Sequence, residues 1–149
     1  MPFRIVAPET EQEFERYYEL RWRILAAPWN QPRGIERDEL EDEAVHLMVC
    51  AEDRVPVAVG RVHLNMPSQA QIRYMGVADE WQGQGLGRLL LQGLEAVARE
   101  RGATEVVLNA RENAVGFYER CGYRVIAPAH LLFGCIPHFR MHKVLESSE

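Results

Sequence analysis

Three glycines at alternate positions, Gly83, Gly85 and Gly87, stand directly before the leucine-rich stretch LGRLLLQGLEAVARE. Glycine loses more backbone freedom on folding than any other residue, so the repetition favours a place where something approaches the main chain closely. Residues 69–77 alternate in polarity and predict a strand before the glycines, whereas the leucines predict a helix over residues 86–101. The chain is therefore expected to pass from a strand into a helix through a turn almost bare of side chains.

A strand-to-helix turn of this kind favours an anion. The first amides of a helix have no partner within the helix, and the helix dipole adds partial positive charge, so a phosphate fits there. Arg88, in the first predicted helical turn, adds a full charge. The chain lacks the GxxxxGK[ST] string of a Walker loop, and its GxGxG spacing differs from the GxGxxG fingerprint of a dinucleotide site. We expect another phosphate-bearing ligand, with a ligand-free glycine turn as the alternative.

The rest of the pattern predicts a mixed α/β sheet with helices on both faces. Thr10 and Glu13 form a capping box, which starts a first helix. Hydrophobic runs separated by turn residues predict three antiparallel strands in a row, and the strand after the long helix is expected to return parallel to the last of them. All of these elements fit one domain over residues 1–149. The further strands are predicted at residues 3–6, 44–51, 55–64, 104–110, 123–127 and 138–145, a short helix at 113–122, and a helix stop at Gly102.

Composition excludes several classes of function. The net charge is −5, whereas a nucleic-acid binder needs a basic footprint. No apolar run approaches the ~20 residues of a membrane span, and the N-terminal segment has no apolar core of a signal peptide. Cys50, Cys121 and Cys135 form no CxxC pair, which argues against a zinc site or a disulfide framework. We therefore expect a cytoplasmic protein that binds neither metal, nucleic acid nor membrane.

Two segments together resemble the GNAT superfamily of acetyl-CoA-dependent N-acetyltransferases. The string QGQGLG at residues 82–87 is similar to the family's Q/R-x-x-G-x-G/A pyrophosphate loop, and NARENAVGFYERCGY at 109–123 resembles its Asn-Ala-x-x-Phe-Tyr-x-x-x-Gly-Tyr/Phe segment. The order of elements also matches over nearly the whole chain. The tail GCIPHFRM resembles that of small bacterial members in the ElaA-like and YjcF-like groups, although Phe133 and Cys135 interrupt the pattern that those groups carry there.

The resemblance implies a GNAT-like fold in which the strand before the loop bulges and splays away from its parallel neighbour. The pantetheine arm of acetyl-CoA would lie in that opening, against Met75, Gly76 and Val77. Asn113 matches a position that contacts the same arm and is alternatively an N-cap of its helix, while Asn109 is a second candidate for the arm. The pyrophosphate contacts implied by the resemblance come from Gln82, Gly83, Gln84, Gly85, Leu86, Gly87 and Arg88.

Tyr118 is the expected general acid. It lies on an inward helical face, and the resemblance puts its hydroxyl near the sulfur of CoA, where a phenol of pKa about 10 is protonated at neutral pH and can serve the departing thiolate. A buried aromatic with a purely structural role is the alternative. His138 is the candidate base, since a histidine titrates in the useful range. His46 and His63 are further histidines of this kind, and a water chain without a dedicated base is the alternative.

The expected function is transfer of the acetyl group of acetyl-CoA to a primary amine, by direct attack through a tetrahedral intermediate. A CoA-binding sensor or partner-binding module without turnover is the alternative. The acceptor is expected to be a small-molecule or peptide amine, and a homodimer is an open arrangement. The acidic run at residues 36–43 is interpreted as a solvated face, or alternatively as an attractor for a cationic acceptor. Trp29 and Arg33 are candidates for the acceptor pocket.

Overall fold

Seven strands form one sheet, which a computed structural model describes together with its covering helices over residues 3–146. The strand order is β1-β2-β3-β4-β5-β7-β6, and every neighbouring pair is antiparallel except the parallel pair β4–β5. The predicted mixed sheet is therefore confirmed. The strands are β1 (Arg4–Val6), β2 (Val45–Cys50), β3 (Pro56–Met66), β4 (Gln69–Val77), β5 (Glu105–Arg111), β6 (Arg124–Leu132) and β7 (Ile136–Val144), and the helices are α1 (Glu11–Leu25), α2 (Leu86–Glu100) and α3 (Val115–Arg120).

The ends of the two long helices follow the sequence signals. Thr10 caps α1 by accepting a hydrogen bond from the amide of Glu13 at 3.1 Å, and the Glu13 carboxylate in turn accepts from the amide of Glu9 at 2.9 Å. Helix α2 stops before Gly102, whose φ of +95° is a left-handed conformation that favours glycine. Neither these helices nor α3 is long and apolar enough to cross a membrane, and no other described segment is helical over such a length.

The helices cover both faces of the sheet, as predicted. Successive side chains of a strand point to opposite faces, and β2 shows the alternation directly. Val49 belongs to the apolar cluster under α2 and α3, whereas its neighbours Met48 and Cys50 belong to the cluster under α1. We call these the α2/α3 face and the α1 face of the sheet.

The acidic segment at residues 36–43 corrects one expectation. It forms turns, and three of its acids are withdrawn from solvent, two of them (Asp38 and Glu41) because they pair with fully buried arginines. Glu41 pairs with Arg21 of α1 and Arg61 of β3 at 2.9 Å each, and Asp38 pairs with Arg61 at 2.6 Å. The Glu36 side chain is also buried. The interpretation as a solvated face is therefore wrong for these three residues, and it holds for the exposed acids of the segment.

The strand β6 is longer than predicted. It runs from Arg124 to Leu132 rather than stopping at residue 127, and it pairs with β7 through two irregular registers. It is an edge strand of the sheet and carries Pro128, a residue that edge strands tolerate. The proline and the register shifts hide the alternation on which a prediction from sequence depends. The hairpin turns through Phe133 and Gly134, both with positive φ.

Candidate functional site

The parallel strands β4 and β5 stay together over only three residues each. Gln69–Gln71 pairs with Glu105–Val107, and beyond that point β4 pairs with β3 alone while β5 pairs with β7 alone. Both strands therefore leave main-chain groups without a sheet partner along the facing edges of the gap. An extended molecule can satisfy such edges in the manner of an added strand. The expected splay of the central parallel pair is confirmed.

The bulge in β4 lies at Tyr74 and Met75 rather than at Gly76. The register passes from Val59 opposite Gly76 to Arg61 opposite Arg73, so β4 carries one extra residue there, and Tyr74 has a φ of +56°. Gly76 has an ordinary φ, and its glycine is required for another reason. A Cβ at this position would lie 2.8 Å from Cγ2 of Ile24 in α1.

A cavity of about 460 Å³ fills the splay. Its walls come from β4 and β5, the end of α1, the connection after α1, and the β6–β7 hairpin. This size suits a ligand pocket. The predicted site residues that line it are Met75, Gly76, Val77, Gln82, Asn109, Tyr118 and His138.

The glycine turn lies outside this cavity wall, at the start of α2. Gly83 and Gly85 have φ values of +81° and +79°, and Gly85 is the N-cap residue of the helix. A Cβ at either position would meet no atom within 4 Å, so the left-handed backbone is what requires glycine there. Gly87 differs, because a Cβ would lie 3.2 Å from Cζ of Phe117. Gly87 therefore lets α2 pack closely on α3.

Gln82 bridges the end of β4 to the turn. Its side-chain amide donates to the carbonyl of Val77 and to the carboxylate of Asp79, both at 3.3 Å. Gln84 is exposed at the surface of the turn. Neither side chain is committed to the core, so the turn presents its backbone and two amide side chains to solvent.

Besides the glycine turn and Gln84, three further predicted contacts lie outside the cavity wall. Leu86 is buried in the core beneath the start of α2, so only its main chain is available to a ligand. Arg88 is exposed and donates to the carbonyl of Arg120 at 3.1 Å, which directs its side chain towards the end of α3. Asn113 is exposed within a 3-10 turn, and no side chain caps that turn or α3. The expectation that Asn113 is an N-cap is therefore wrong.

Tyr118 lies on α3 with its ring buried between Phe117 and Tyr123, at centroid distances of 5.0 and 5.8 Å. Its hydroxyl reaches across the splay to within 3.9 Å of Sδ of Met75 on β4. Burial raises the pKa of Tyr118 above its ordinary value, and the nearby Cys121 raises it further. The hydroxyl is therefore protonated over the whole physiological range and can donate a hydrogen bond into the cavity.

His138 lies on β7 in the cavity wall, with a relative exposure of 8%. Its Nδ1 is 3.0 Å from the carbonyl of Ile136, and because a carbonyl only accepts, Nδ1 carries the proton. Nε2 of the neutral ring is then left as an acceptor. Burial lowers the pKa of His138, and the charges of His130 and Arg111 act in the same direction, against the hydrogen bond to Ile136. His130 stacks on the ring at a centroid distance of 4.7 Å.

The two other histidines considered as bases, His46 and His63, have structural partners away from the cavity. His46 bonds to the hydroxyl of Tyr17 at 2.9 Å and to the carbonyl of Glu41 at 2.8 Å. His63 bonds to the side chain of Asn65 at 3.1 Å. Neither histidine lines the splay, so neither is placed to act on a molecule bound there.

The connection after α1 reaches the cavity through residues that sequence reasoning did not select. Trp29 and Arg33 lie outside the cavity wall, whereas Ile35 and Glu36 form part of it. Glu36 accepts from the amide of Gly34 at 2.7 Å and pairs with Arg37 at 3.3 Å. The choice of Trp29 and Arg33 as pocket residues is therefore wrong for this structure.

Arg111, at the end of β5, is the principal residue that sequence reasoning missed. It lines the cavity, and its guanidinium donates to the carbonyl of Leu25 at 3.1 Å. Burial lowers the pKa of Arg111. One signal was available in the sequence: Arg111 follows Asn109 by two positions on the same strand, so both side chains point to the same face.

The splayed parallel pair, the glycine turn at its mouth and the buried tyrosine in its wall are the features that a GNAT-like fold is expected to have. The chain belongs to the acetyltransferase (GNAT) family, whose model matches residues 14–123. It is 32% identical over 139 residues to the uncharacterized N-acetyltransferase YjcF of Bacillus subtilis, covering 93% of this chain and 97% of YjcF. The resemblance to the YjcF-like group is thereby confirmed.

Solved structures share the same fold. A candidate N-acetyltransferase from Lactobacillus plantarum superposes with a TM-score of 0.85 at 24% identity, covering 98% of this chain and all of that one (100%). A GNAT family acetyltransferase from Elizabethkingia anophelis, solved with acetyl-CoA bound, gives a TM-score of 0.78 at 14% identity, covering 96% and 98% of the two chains.

Proposed function

We propose that this protein transfers the acetyl group of acetyl-CoA to a primary amine. The observation that carries the proposal is the splay between β4 and β5, with Tyr118 in its wall and the glycine turn beside it. The name of YjcF and the acetyl-CoA in the Elizabethkingia structure support the same activity. Three free cysteines among residues 3–146 further support a reducing, cytoplasmic location.

The residues around the splay fit acetyl-CoA. The edge of β4 from Met75 to Val77 would hold the pantetheine arm, because its main chain faces the gap without a partner from β5. The amides of residues 83–87 would hold the pyrophosphate, since the left-handed glycines turn the chain into the N-terminus of α2. When bound, acetyl-CoA supplies an activated acetyl thioester.

Tyr118 would stabilise the departing sulfur. An ordinary thiol has a pKa of about 8.5, and burial raises the pKa of Tyr118 above that of a free phenol. The same burial disfavours a thiolate in the cavity, so it raises the pKa of the thiol as well as the pKa of the phenol. The raised pKa makes the phenol a weaker acid than an ordinary thiol, so the hydroxyl would act first as a hydrogen-bond donor to the sulfur. Full transfer of its proton, as a general acid, would require that burial raise the pKa of the thiol to that of the phenol.

His138 would take the proton that the amine loses. Its protonated Nδ1 leaves Nε2 free as an acceptor, and burial keeps the ring neutral at pH 7 by lowering its pKa. A neutral ring is the competent form of a base. A water chain would perform the same transfer if no side chain does.

The test is a thiol-release assay with acetyl-CoA over a panel of primary amines, preceded by a thermal-shift comparison of acetyl-CoA, NAD and ATP. We expect stabilisation by acetyl-CoA and not by the two nucleotides, followed by thiol release that depends on an amine. Stabilisation by acetyl-CoA with no amine-dependent release would favour the CoA-binding sensor. Stabilisation by NAD or ATP alone would overturn the proposal.

Tyr118→Phe is the sharpest variant for the chemistry. It keeps the ring and removes one donor, so we expect kcat to fall roughly 10²-fold, at the lower end of general acid catalysis because water substitutes in part. KM should change little, since the interaction belongs to the transition state.

Tyr123→Phe is the matched control. Tyr123 is a buried tyrosine of the same cluster, but its hydroxyl bonds to Glu95 at 2.8 Å and it lies outside the cavity wall. We expect this variant to lose stability and to keep kcat. Full kcat in Tyr118→Phe would make Tyr118 a structural aromatic residue.

A further inference from the structure

Arg111 lacks a carboxylate partner among residues 3–146. Its guanidinium makes one described hydrogen bond, to the neutral carbonyl of Leu25, and no acidic side chain lies within salt-bridge distance. A half-buried charge of this kind is costly unless something compensates it. The lowering of its pKa by burial alone agrees with the missing anion.

The other charges of the cavity wall are already paired. Arg73 bonds to Asp38 at 2.8 Å. Among the residues that the structure describes, Glu36 is the one acidic residue of the wall, and Arg37 and a backbone amide occupy its oxygens. Within residues 3–146, the wall therefore presents a single uncompensated charge, the positive charge of Arg111. A ligand group that completes this balance is an anion.

Arg111 lies directly opposite His138 in the β5–β7 ladder. Side chains of a directly opposed antiparallel pair stand on the same face, with Cβ atoms about 4.5–5.5 Å apart. A carboxylate on Arg111 would thus lie within a few ångströms of the ring that we propose as the base. An amine attached to the carbon next to that carboxylate reaches the same region.

The remainder of the wall on this side is apolar. Side chains from the end of α1, the connection after it and the β6–β7 hairpin close around the space beside Arg111. They are Ile24, Leu25, Ile35, Leu132 and Phe133. This lining suits an apolar body on the molecule that carries the anion.

We infer that the acceptor is an amine that also bears a carboxylate, of the α-amino acid type with an apolar side chain, and that Arg111 binds the carboxylate. The inference rests on the proposed function and adds the class of acceptor to it. Arg111 becomes a specificity-determining residue, because an arginine fork matches a carboxylate with two parallel hydrogen bonds.

The experiment compares matched acceptors on wild type and Arg111→Gln. The probes are L-methionine and L-phenylalanine, each against its α-amide, and the quantity is the ratio of kcat/KM for acid over amide. The two acceptors differ in intrinsic amine reactivity, but that difference cancels when the ratio of the variant is divided by that of wild type. We expect Arg111→Gln to lower the ratio at least about tenfold, as loss of a charged hydrogen bond predicts.

Arg140→Gln is the matched control. Arg140 lies on the neighbouring strand opposite Asn109, on the same face of the sheet but outside the cavity wall. Its loss should leave the acid-to-amide ratio unchanged. An equal fall in both variants would indicate a general field effect and would overturn the assignment to Arg111.

A binding measurement separates this inference from the proposed function. Calorimetry on protein saturated with CoA compares N-acetyl-L-methionine with its amide. If no amine is acetylated, but the acid binds more tightly and loses this advantage in Arg111→Gln, the proposed activity fails and the carboxylate site stands. If neither turnover nor binding depends on the carboxylate, or if the variant weakens acetyl-CoA binding alone, the inference is wrong.

Discussion

The two faces of the sheet are built from different materials. The α2/α3 face is a mainly apolar core with Tyr118 at its edge and the glycine turn above it, and its buried acid Glu95 is paired with Lys143 and Tyr123. The α1 face buries two complete arginine side chains, Arg21 and Arg61, against the acids of the connection after α1. The first face relies on burial of apolar surface, and the second relies on charges that stabilise only when all partners are present.

The buried charges also support the bulge that shapes the cavity. The ring of Tyr74, which has the positive φ, lies against the guanidinium groups of Arg21, Arg61 and Arg73 at 4.4, 5.1 and 4.7 Å. Cation–π contacts of this kind strengthen when they are removed from water. The α1 face therefore links the stability of the protein to the shape of the part of the cavity where we propose that the amine acceptor binds. The α2/α3 face instead carries the glycine turn and Tyr118, which we propose to bind acetyl-CoA.

Arg61→Met should have the largest effect on stability, because it disrupts the charged network of the α1 face. It leaves Asp38 and Glu41 without their main partner in a buried setting, and we expect a loss of about 3 kcal/mol in the free energy of unfolding, at the lower end for a broken buried pair because Arg21 and Arg73 still compensate in part. Urea unfolding at pH 7 measures it. The control is Arg54→Met, which removes a more exposed pair with Glu13 and should cost far less.

Arg61→Met should also change how the stability of the protein depends on pH in acid. Burial opposes ionisation of Asp38, but hydrogen bonds from Arg61 and the Leu40 amide, with the charges of Arg61 and Arg73, lower its pKa to about 2. A lowered carboxyl pKa contributes stability above its ordinary value of 3.8, and that contribution is lost as the pH falls through about 2. Arg61→Met should therefore lose less stability than wild type between pH 5 and pH 2.5, test limits chosen around those pKa values. If Arg61→Met and wild type lose equal stability over this pH range, the Asp38–Arg61 pair contributes little to stability.

The two faces also differ in how far the sequence predicts them. The capping box at Thr10, the glycine turn and the leucine spacing of α2 are local patterns, and each corresponds to an observed element. The charged network is not local, because Arg21, Glu41 and Arg61 are brought together only by the fold. The acidic run therefore resembled a solvated segment until the arginines opposite it were known.

The glycines show the same limit of prediction from local sequence. Gly83 and Gly85 have left-handed backbones that a strand-to-helix turn predicts, whereas Gly76 and Gly87 have ordinary backbones. Their need for glycine comes from the distant side chains of Ile24 and Phe117, respectively. The paired arrangement of Arg111 and His138 was equally hidden, since it depends on the register between β5 and β7.

Gly85→Glu tests whether the α2/α3 face holds the donor. It adds bulk and negative charge where the backbone should meet pyrophosphate, and we expect the Kd for acetyl-CoA to rise at least tenfold, about 1.4 kcal/mol. A side chain at positive φ costs roughly 1–2 kcal/mol of strain by itself. Gly102→Glu controls for this cost, because Gly102 has a φ of +95° at the other end of the same helix. Calorimetry on both folded variants measures their affinities for acetyl-CoA. Equal affinities would show that the pyrophosphate does not bind at the glycine turn.

His138→Asn gives the smallest effect and tests whether the α1 face contributes to the chemistry. Burial lowers the pKa of His138 below its ordinary 6.5, so the ring is neutral at pH 7 and becomes protonated only at a lower pH. If it is the base, log(kcat/KM) of wild type should steepen below pH 6.5 by about one unit per pH unit, because protonation removes the competent form. The variant should lack that steepening, and its kcat/KM at pH 7.5 should fall less than about tenfold, since water can carry the proton in place of the ring.

His63→Asn is the control for this variant. Burial lowers the pKa of His63 as well, but that ring lies outside the cavity, so the pH profile of His63→Asn should match that of wild type. A steep limb that persists in His138→Asn would show that another ionisable group causes it and that His138 is not the base.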